Sequence, residues 1–154
     1  LNSNLIGNTG VALLSESLKS NTTLTDLCLW RNRIGETGTI SLSELLKTNT
    51  TLLTLSLKDN SIQDTGATSL SEALKSNTTL TELNLECANI GSTGITSLSE
   101  SLKKNTALAK LYLRRNGIGD IGATSLSEAL KLNSALTELD IGCKCNKQKK
   151  KKRE

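Results

Sequence analysis

The sequence predicts an α/β solenoid, a stack of repeated strand-and-helix units, and three observations support this fold class. Leucine recurs every 28 residues without an insertion, in a series that comprises Leu24, Leu52, Leu80, Leu108 and Leu136. Self-similarity at such a period is typical of repeat proteins. Within each repeat, the spacing of apolar residues changes from about 2, which indicates a strand, to about 3.6, which indicates a helix.

An LxL pattern predicts one short strand in each repeat. In the first complete copy, Leu27 and Leu29 alternate with Cys28 and Trp30. Successive side chains of a strand lie on opposite faces, so we expect the leucines in the core and the other two residues outside. Because all repeats have the same length, we expect the strands to pair in register, about 4.8 Å apart.

A helix is predicted after each strand, since Leu42 and Leu46 are four residues apart and share one helical face. We expect the helices to begin at N-capping residues, namely Asn8, Glu36, Asp64, Ser92 and Asp120, of which only Glu36 is a poor cap. We expect them to close at asparagines in the left-handed conformation, namely Asn21, Asn49, Asn77, Asn105 and Asn133. A glycine at the same 28-residue spacing predicts close contact between neighbouring helices.

The combined pattern, LxxLxLxxNxI followed by GxxxLxxxL, resembles the ribonuclease-inhibitor type of leucine-rich repeat over residues 1–143. Segments such as IGDIGATSLSEALKLNSALTELDI are most similar to the repeats of nucleotide-binding leucine-rich-repeat receptors. They are similar also to the repeats of tropomodulin and of Ran GTPase-activating proteins. The resemblance implies a curved horseshoe with parallel strands on the concave face and helices on the convex face. It also implies that the concave face binds a protein, although unrelated functions share this scaffold.

Two positions depart from the repeat pattern. The family's asparagine is present as Asn4, Asn32, Asn60 and Asn116, and it normally binds the backbone of the neighbouring turn. The third complete repeat has Ala88 at this position, and Gln63 stands where several repeats have glycine. We therefore expect local softness at residues 86–90.

The sequence divides into a leucine-rich-repeat solenoid at residues 1–143 and a disordered basic tail at residues 144–154. Leu1 aligns with Leu29, so we expect the N-terminal end to cut the first strand of a longer protein. The net charge of +4 comes from the tail, whose cations include Lys149, Lys150, Lys151, Lys152 and Arg153. Three interpretations of the tail stay open: a nuclear-import signal, a weak non-specific contact with a polyanion or anionic membrane, and a solvated cap.

The outward positions of the repeats predict a binding surface. The only tryptophan, Trp30, and the only tyrosine, Tyr112, both occupy outward strand positions. Trp, Tyr and Arg are enriched at binding hot spots. The residues expected to contact a partner are Trp30, Arg31, Arg33, Lys58, Glu86, Tyr112, Arg114 and Arg115. A structural role is the alternative, in which Trp30 covers the stem of Lys58 and charges on adjacent strands neutralise one another.

The composition argues against catalysis. The chain has no histidine, which removes the commonest general base and metal ligand. No phosphate-binding glycine motif follows a strand, and Cys143-Lys144-Cys145 lacks a second ligand pair for zinc. No run of apolar residues is long enough to span a membrane. We therefore expect no enzymatic activity, no cofactor and no metal.

These observations indicate a non-catalytic protein–protein interaction module in the cytoplasm, within a larger sensor or scaffold. Reduced cysteines fit that compartment. One alternative is a Ran-type GTPase-activating regulator, and another is a polyanion or nuclear-import contact through the lysine tail, which would allow a nuclear location. Three Asn-Thr-Thr sequons, at Asn21, Asn49 and Asn77, leave glycosylation open, because one repeat copied three times produces the same count.

Overall fold

Each repeat contributes one strand and one helix, as the sequence predicts. The computed structural model describes residues 1–142 of the chain. In chain order the elements are α1 (Gly7–Lys19), β1 (Asp26–Cys28), α2 (Glu36–Thr48), β2 (Thr54–Ser56), α3 (Gln63–Leu74), β3 (Glu82–Asn84), α4 (Ser92–Leu102), β4 (Lys110–Tyr112), α5 (Gly119–Leu132) and β5 (Glu138–Asp140). Helices that are neighbours in this order pack against each other.

The strands of the described residues form one parallel sheet, in the order β1-β2-β3-β4-β5. They pair in register, so Leu27 lies opposite Leu55, and Leu55 lies opposite Leu83. These three leucines are buried, whereas Cys28 on the other face of β1 is exposed. The leucine-rich-repeat solenoid, its parallel register and its inward-facing leucines are therefore confirmed.

The repeated glycine is required by the packing of neighbouring helices, as predicted. A Cβ atom added to Gly38 would lie 2.9 Å from Cγ1 of Val11, and one added to Gly94 would lie 2.9 Å from Cβ of Ala67. Carbon atoms make optimal contact at about 3.5–4.0 Å. A side chain at either glycine would therefore push two helices apart.

The prediction for the helix N-termini is wrong, because a side chain of the predicted series caps the next helix and not its own. Asn8 lies within the first turn of α1, and its Oδ1 accepts hydrogen bonds from the N–H groups of Gly35 (2.7 Å) and Gly38 (3.3 Å). It therefore caps α2, one repeat further along the chain. No residue of the predicted series caps its own helix, because the residue before each helix is an isoleucine or a glycine.

The prediction for the helix C-termini is also wrong, because none of those asparagines is left-handed. Asn49 is extended (φ −76°, ψ 129°) and buried. Its Nδ2 donates to the carbonyl of Leu18 in the preceding repeat at 3.0 Å, and its Oδ1 accepts from the N–H groups of Thr51 (3.0 Å) and Leu52 (2.8 Å). The series is thus an asparagine ladder that joins repeats.

The family's asparagine forms a second ladder, at the turns that follow the strands. Oδ1 of Asn60 accepts hydrogen bonds from the N–H groups of Asn32 and Ile34, both at 3.0 Å. Its Nδ2 donates to the carbonyls of Leu29 (2.9 Å) and Leu57 (3.0 Å). One buried side chain therefore satisfies four backbone groups on two repeats, as buried polar groups require.

Ala88 interrupts this second ladder, but the loss falls one repeat earlier than predicted. The N–H groups of Ala88 and Ile90 still donate to Oδ1 of Asn116, at 3.1 and 3.0 Å. The groups without such an acceptor are the N–H groups of Asn60 and Ile62, because no side-chain oxygen of residues 1–142 takes its place. The softness expected at residues 86–90 stays a prediction, but the missing acceptor affects residues 60 and 62 and not residues 88 and 90.

The backbone also differs between these two turns. Arg33, whose two neighbours are bound by Asn60, is left-handed, with φ +56°. In the next repeat the corresponding residue, Ser61, is not left-handed, and Gln63 adopts φ +58° instead. The second left-handed residue thus stands two positions later in this turn than in the turn of Arg33.

Two sequence predictions concern residues at the C-terminal end, namely the basic tail and the last two cysteines. The predicted basic tail, with Lys149 to Arg153, lies outside the described residues, as do Cys143 and Cys145. Within residues 1–142, no helix combines the length and the apolar character needed to cross a membrane.

Candidate protein-binding surface

The two aromatic residues lie on the sheet side of the solenoid, three strands apart. Tyr112 is on β4, between Asn84 of β3 and Asp140 of β5, and it is half-buried. Trp30 lies two residues after β1 and is also half-buried. Strand spacing separates the two side chains by roughly 14 Å. They are therefore too far apart to hold one small ring, but both can contact one protein surface.

The cation that covers the indole is Arg31 rather than Lys58. The guanidinium carbon of Arg31 lies over the Trp30 ring, 5.9 Å from its centroid. This distance is within the range of a cation–π interaction. The ammonium group of Lys58 instead lies 2.8 Å from a carboxylate oxygen of Glu86. The alternative prediction of a Trp30–Lys58 contact is therefore corrected to Trp30–Arg31.

Most charges on the strands are paired with a neighbouring strand. Besides the Lys58–Glu86 pair, Lys110 lies 3.5 Å from Glu82. Arg114 donates to Asp140 at 3.2 Å, so it pairs towards β5 and not towards Glu86. Such cross-strand pairs contribute about 0.2–1 kcal/mol each. Lys58, Glu86 and Arg114 are thus partly neutralised within the protein.

Arg31 and Arg33 are exposed and take part in none of the ion pairs within the described residues. They line an open groove of about 470 Å³ on the turns between strands and helices. We call it the arginine groove, and its lining comprises Leu5, Arg31, Arg33, Asp59, Asn60 and Ser61. Leu5 and Asp59 were missed from the sequence, although Asp59 could have been found because it aligns with Arg31 at the 28-residue spacing.

Tyr112 lies among acidic side chains. Burial is the main cause that raises the pKa of its hydroxyl, and the hydrogen bond to Glu138 and the charges of Glu82 and Asp140 raise it further. The phenol therefore stays protonated near neutral pH, where it can donate a hydrogen bond.

Arg115 lies at the same repeat position as Arg31, but it has a neighbour of a different kind. Cys87 lies between Asp59 and Arg115 in this row of turns. Burial raises the pKa of the Cys87 thiol, a hydrogen bond from Arg115 lowers it, and Asp59 and Glu86 raise it. Arg115 therefore acts on the Cys87 thiol, whereas Arg31 and Arg33 line the arginine groove.

The predicted site residues thus fall into two groups. The structure brings Trp30, Arg31 and Arg33 together at one end, and Tyr112, Arg114 and Arg115 together at the other, while Lys58 and Glu86 pair between them. Within residues 1–142, no group of three or more Cys, Asp or Glu side chains has an arrangement that could hold a metal ion. The arrangement offers polar, cationic and aromatic contacts along an extended surface.

Comparisons with known proteins identify relatives of this fold. The family model described as the TMOD/LMOD leucine-rich domain matches residues 32–153. A solved structure of the leiomodin-1 actin-binding site 2 is similar, with a TM-score of 0.77 and 25% sequence identity, over 83% of this chain and 76% of that chain. The tropomodulin C-terminal domain of Caenorhabditis elegans shares the fold, with a TM-score of 0.76 and 19% identity, over 86% of this chain and 82% of that chain.

No curated protein sequence matches the chain. The comparisons support the resemblance to tropomodulin repeats and do not show the one to nucleotide-binding receptors. The family model covers most of the chain, including every predicted contact residue from Arg33 onwards. The chain therefore belongs to the TMOD/LMOD leucine-rich domain family.

Proposed function

We propose that this domain is a non-catalytic protein-interaction module that binds actin. The observation that carries the proposal is the similarity to the leiomodin-1 actin-binding site 2, at 25% identity and a TM-score of 0.77. Membership of the same leucine-rich domain family supports it. A cytoplasmic, cytoskeletal location follows from this partner.

The surface proposed to contact actin is the strand side of the solenoid together with its turns. It carries the Trp30–Arg31 stack at one end and Tyr112 at the other. Aromatic and arginine side chains that are held by their neighbours lose little conformational freedom on binding, which favours affinity. The in-register strands keep the two ends at a fixed separation, so the surface suits one extended protein epitope.

Binding is tested with purified actin, both as monomers and as filaments. The wild-type chain should change the fluorescence anisotropy of labelled monomers, co-sediment with filaments, or do both. If it does neither at high protein concentration, the proposal of actin binding is wrong. Stimulation of GTP hydrolysis by a Ran-type GTPase is measured in parallel, since it would support the regulator alternative instead.

Two alanine variants test which surface binds. Trp30→Ala and Tyr112→Ala should each weaken actin binding by roughly tenfold, as expected for a residue at a hot spot. Leu13→Ala and Leu132→Ala serve as matched controls, because both leucines are exposed apolar residues, 68% and 69%, on α1 and α5. If the aromatic variants bind as tightly as the leucine variants, the contact surface lies elsewhere.

A further inference from the structure

We propose that the arginine groove recognises an acidic segment of the protein partner, with a carboxylate held by Arg31 and Arg33. This inference rests on the proposed function and adds the chemistry of the contact. It gives the partner segment a defined character, namely one or more Asp or Glu side chains beside an apolar side chain.

Charge distribution is the first argument. Lys58, which follows the neighbouring strand β2, is already paired with Glu86. Arg31 and Arg33 are exposed and lie in no ion pair of the described residues, and the groove holds one opposing carboxylate, that of Asp59. Two guanidinium groups against one carboxylate leave one net positive charge. The groove therefore favours a carboxylate over a cationic or neutral group.

The second argument is that both arginines are anchored. The guanidinium of Arg31 lies over the Trp30 ring. Arg33 is flanked by Asn32 and Ile34, whose N–H groups both donate to Oδ1 of Asn60 at 3.0 Å. The stack restricts the first side chain, and the ladder fixes the backbone of the second. The Arg31 side chain therefore loses less freedom on binding than a mobile lysine, and a guanidinium can hold a carboxylate through two parallel hydrogen bonds.

The other residues of the groove restrict the chemistry of the partner segment further. Leu5, at one side of the groove, is 62% exposed, and its backbone is left-handed (φ +56°). An apolar group of the partner can cover it. Asp59 repels carboxylates from its own side, so the partner's acidic group is expected at the Arg31–Arg33 side. An acidic residue next to an apolar residue matches both features.

Charge removal tests the proposal in the full chain. In the double variant Arg31→Gln, Arg33→Gln we expect actin binding to weaken by roughly tenfold or more, because each arginine–carboxylate hydrogen bond is charge-assisted. The double variant Lys104→Gln, Lys131→Gln is the matched control, since it removes two exposed cations that lie in no ion pair of the described residues. It should bind like the wild type.

Ionic strength supplies a second readout. Wild-type affinity should fall as salt rises, and this dependence should be smaller in the arginine variant than in the lysine variant. If the arginine variant binds actin within twofold of the wild type, with the same dependence on salt, the inference is overturned while actin binding stands. Thermal unfolding of both variants excludes misfolding as the cause of a loss.

Trp30 allows a test that does not depend on actin. It is the only tryptophan, and it lies against a groove residue, so its emission reports occupancy. A peptide of alternating glutamate and leucine should change this emission saturably, and the corresponding glutamine–leucine peptide should not. The arginine variant should remove the change. Equal changes with both peptides, or no change with either, would contradict the proposal, and an equal change with inorganic phosphate would assign a small-anion site instead.

Discussion

Asp64 caps a helix that begins 28 residues later, because its Oδ1 accepts a hydrogen bond from the N–H of Gly91 at 2.7 Å and from that of Gly94 at 3.0 Å. Asn8 makes the corresponding contact with Gly35 and Gly38. Caps of this kind connect repeats instead of stabilising one helix alone. Nearest-neighbour contacts of this type determine the stability of a solenoid.

The Asp64 cap gives the first prediction. Asp64→Ala should lower the free energy of unfolding by about 1 kcal/mol, since it leaves the first turn of α4 without its acceptor. Asp64→Asn should retain most of the stability, because Asn8 performs the same role. Chemical denaturation measures the free energy of unfolding of the wild type and of the two Asp64 variants. Ser92→Ala is the control, as Ser92 stands at the same repeat position and does not cap a helix; an equal loss in this variant would contradict the interpretation.

Ala88 gives the second prediction. In Ala88→Asn, the new Oδ1 should accept from the N–H groups of Asn60 and Ile62 and raise the free energy of unfolding by about 1 kcal/mol. The buried site can accept this side chain, because Asn32 is equally buried at the same repeat position. Hydrogen exchange at residues 60 and 62 should be faster than at residues 32 and 34 in the wild type. It should slow in the variant; unchanged exchange there would count against the proposed gap.

The asparagine ladder that follows the helix C-termini and joins the repeats gives the third prediction. Nδ2 of Asn77 donates to the carbonyl of Leu46 at 2.8 Å, and its Oδ1 accepts from the N–H of Leu80 at 2.8 Å. Asn77→Ala should therefore cost about 1–3 kcal/mol in urea denaturation, because it leaves buried backbone groups unpaired. Asn21→Ala should cost less, since Asn21 is only half-buried.

The same contact bears on glycosylation. A glycan on Asn77 or Asn49 would replace an amide hydrogen that the ladder uses, and both side chains are buried. Mass spectrometry of the chain expressed through a secretory pathway should therefore find these two sequons unmodified. Full occupancy of either site in folded protein would contradict the ladder geometry.

The fifth prediction concerns thiol reactivity. Cys28 is exposed, whereas Cys87 is half-buried and burial raises its pKa. A raised pKa lowers the thiolate fraction at a given pH, and the thiolate is the species that reacts. Iodoacetamide at mildly alkaline pH should therefore modify Cys28 before Cys87, as followed by peptide mass spectrometry. Asp59→Asn should accelerate the Cys87 reaction, because Asp59 contributes to the raised pKa.

Much of the site could be predicted because it follows from the repeat length. Equal repeats place Cys28, Ser56, Asn84 and Tyr112 in one row, and the structure pairs these positions directly. The groove could not be predicted in the same way. Leu5 joins it from the preceding repeat, through a left-handed turn in which the N–H groups of Asn4 and Ile6 donate to Oδ1 of Asn32.

The sequence also could not predict which ion pairs form between the charged side chains. Arg114 could pair with Glu86 on one side or with Asp140 on the other, and the two have the same charge. The observed contact is with Asp140, at 3.2 Å. Arg31 could likewise extend into solvent, but it lies over Trp30. Long side chains have several rotamers of similar energy, so their neighbours decide which contact forms.

The sequence by itself determined the solenoid, its parallel register and the faces of its leucines, because a 28-residue period with an LxL strand has only one way to bury its apolar side chains. Tertiary structure alone decided which helix Asn8 and Asp64 cap, and that Asn49 and Asn77 bind the preceding repeat. These partners lie about one repeat away along the chain, as in Asp64 to Gly91. Rules of helix capping describe a residue and its own helix. In the stacked solenoid, the free N–H groups of the next helix lie within hydrogen-bond distance of Asn8 and Asp64.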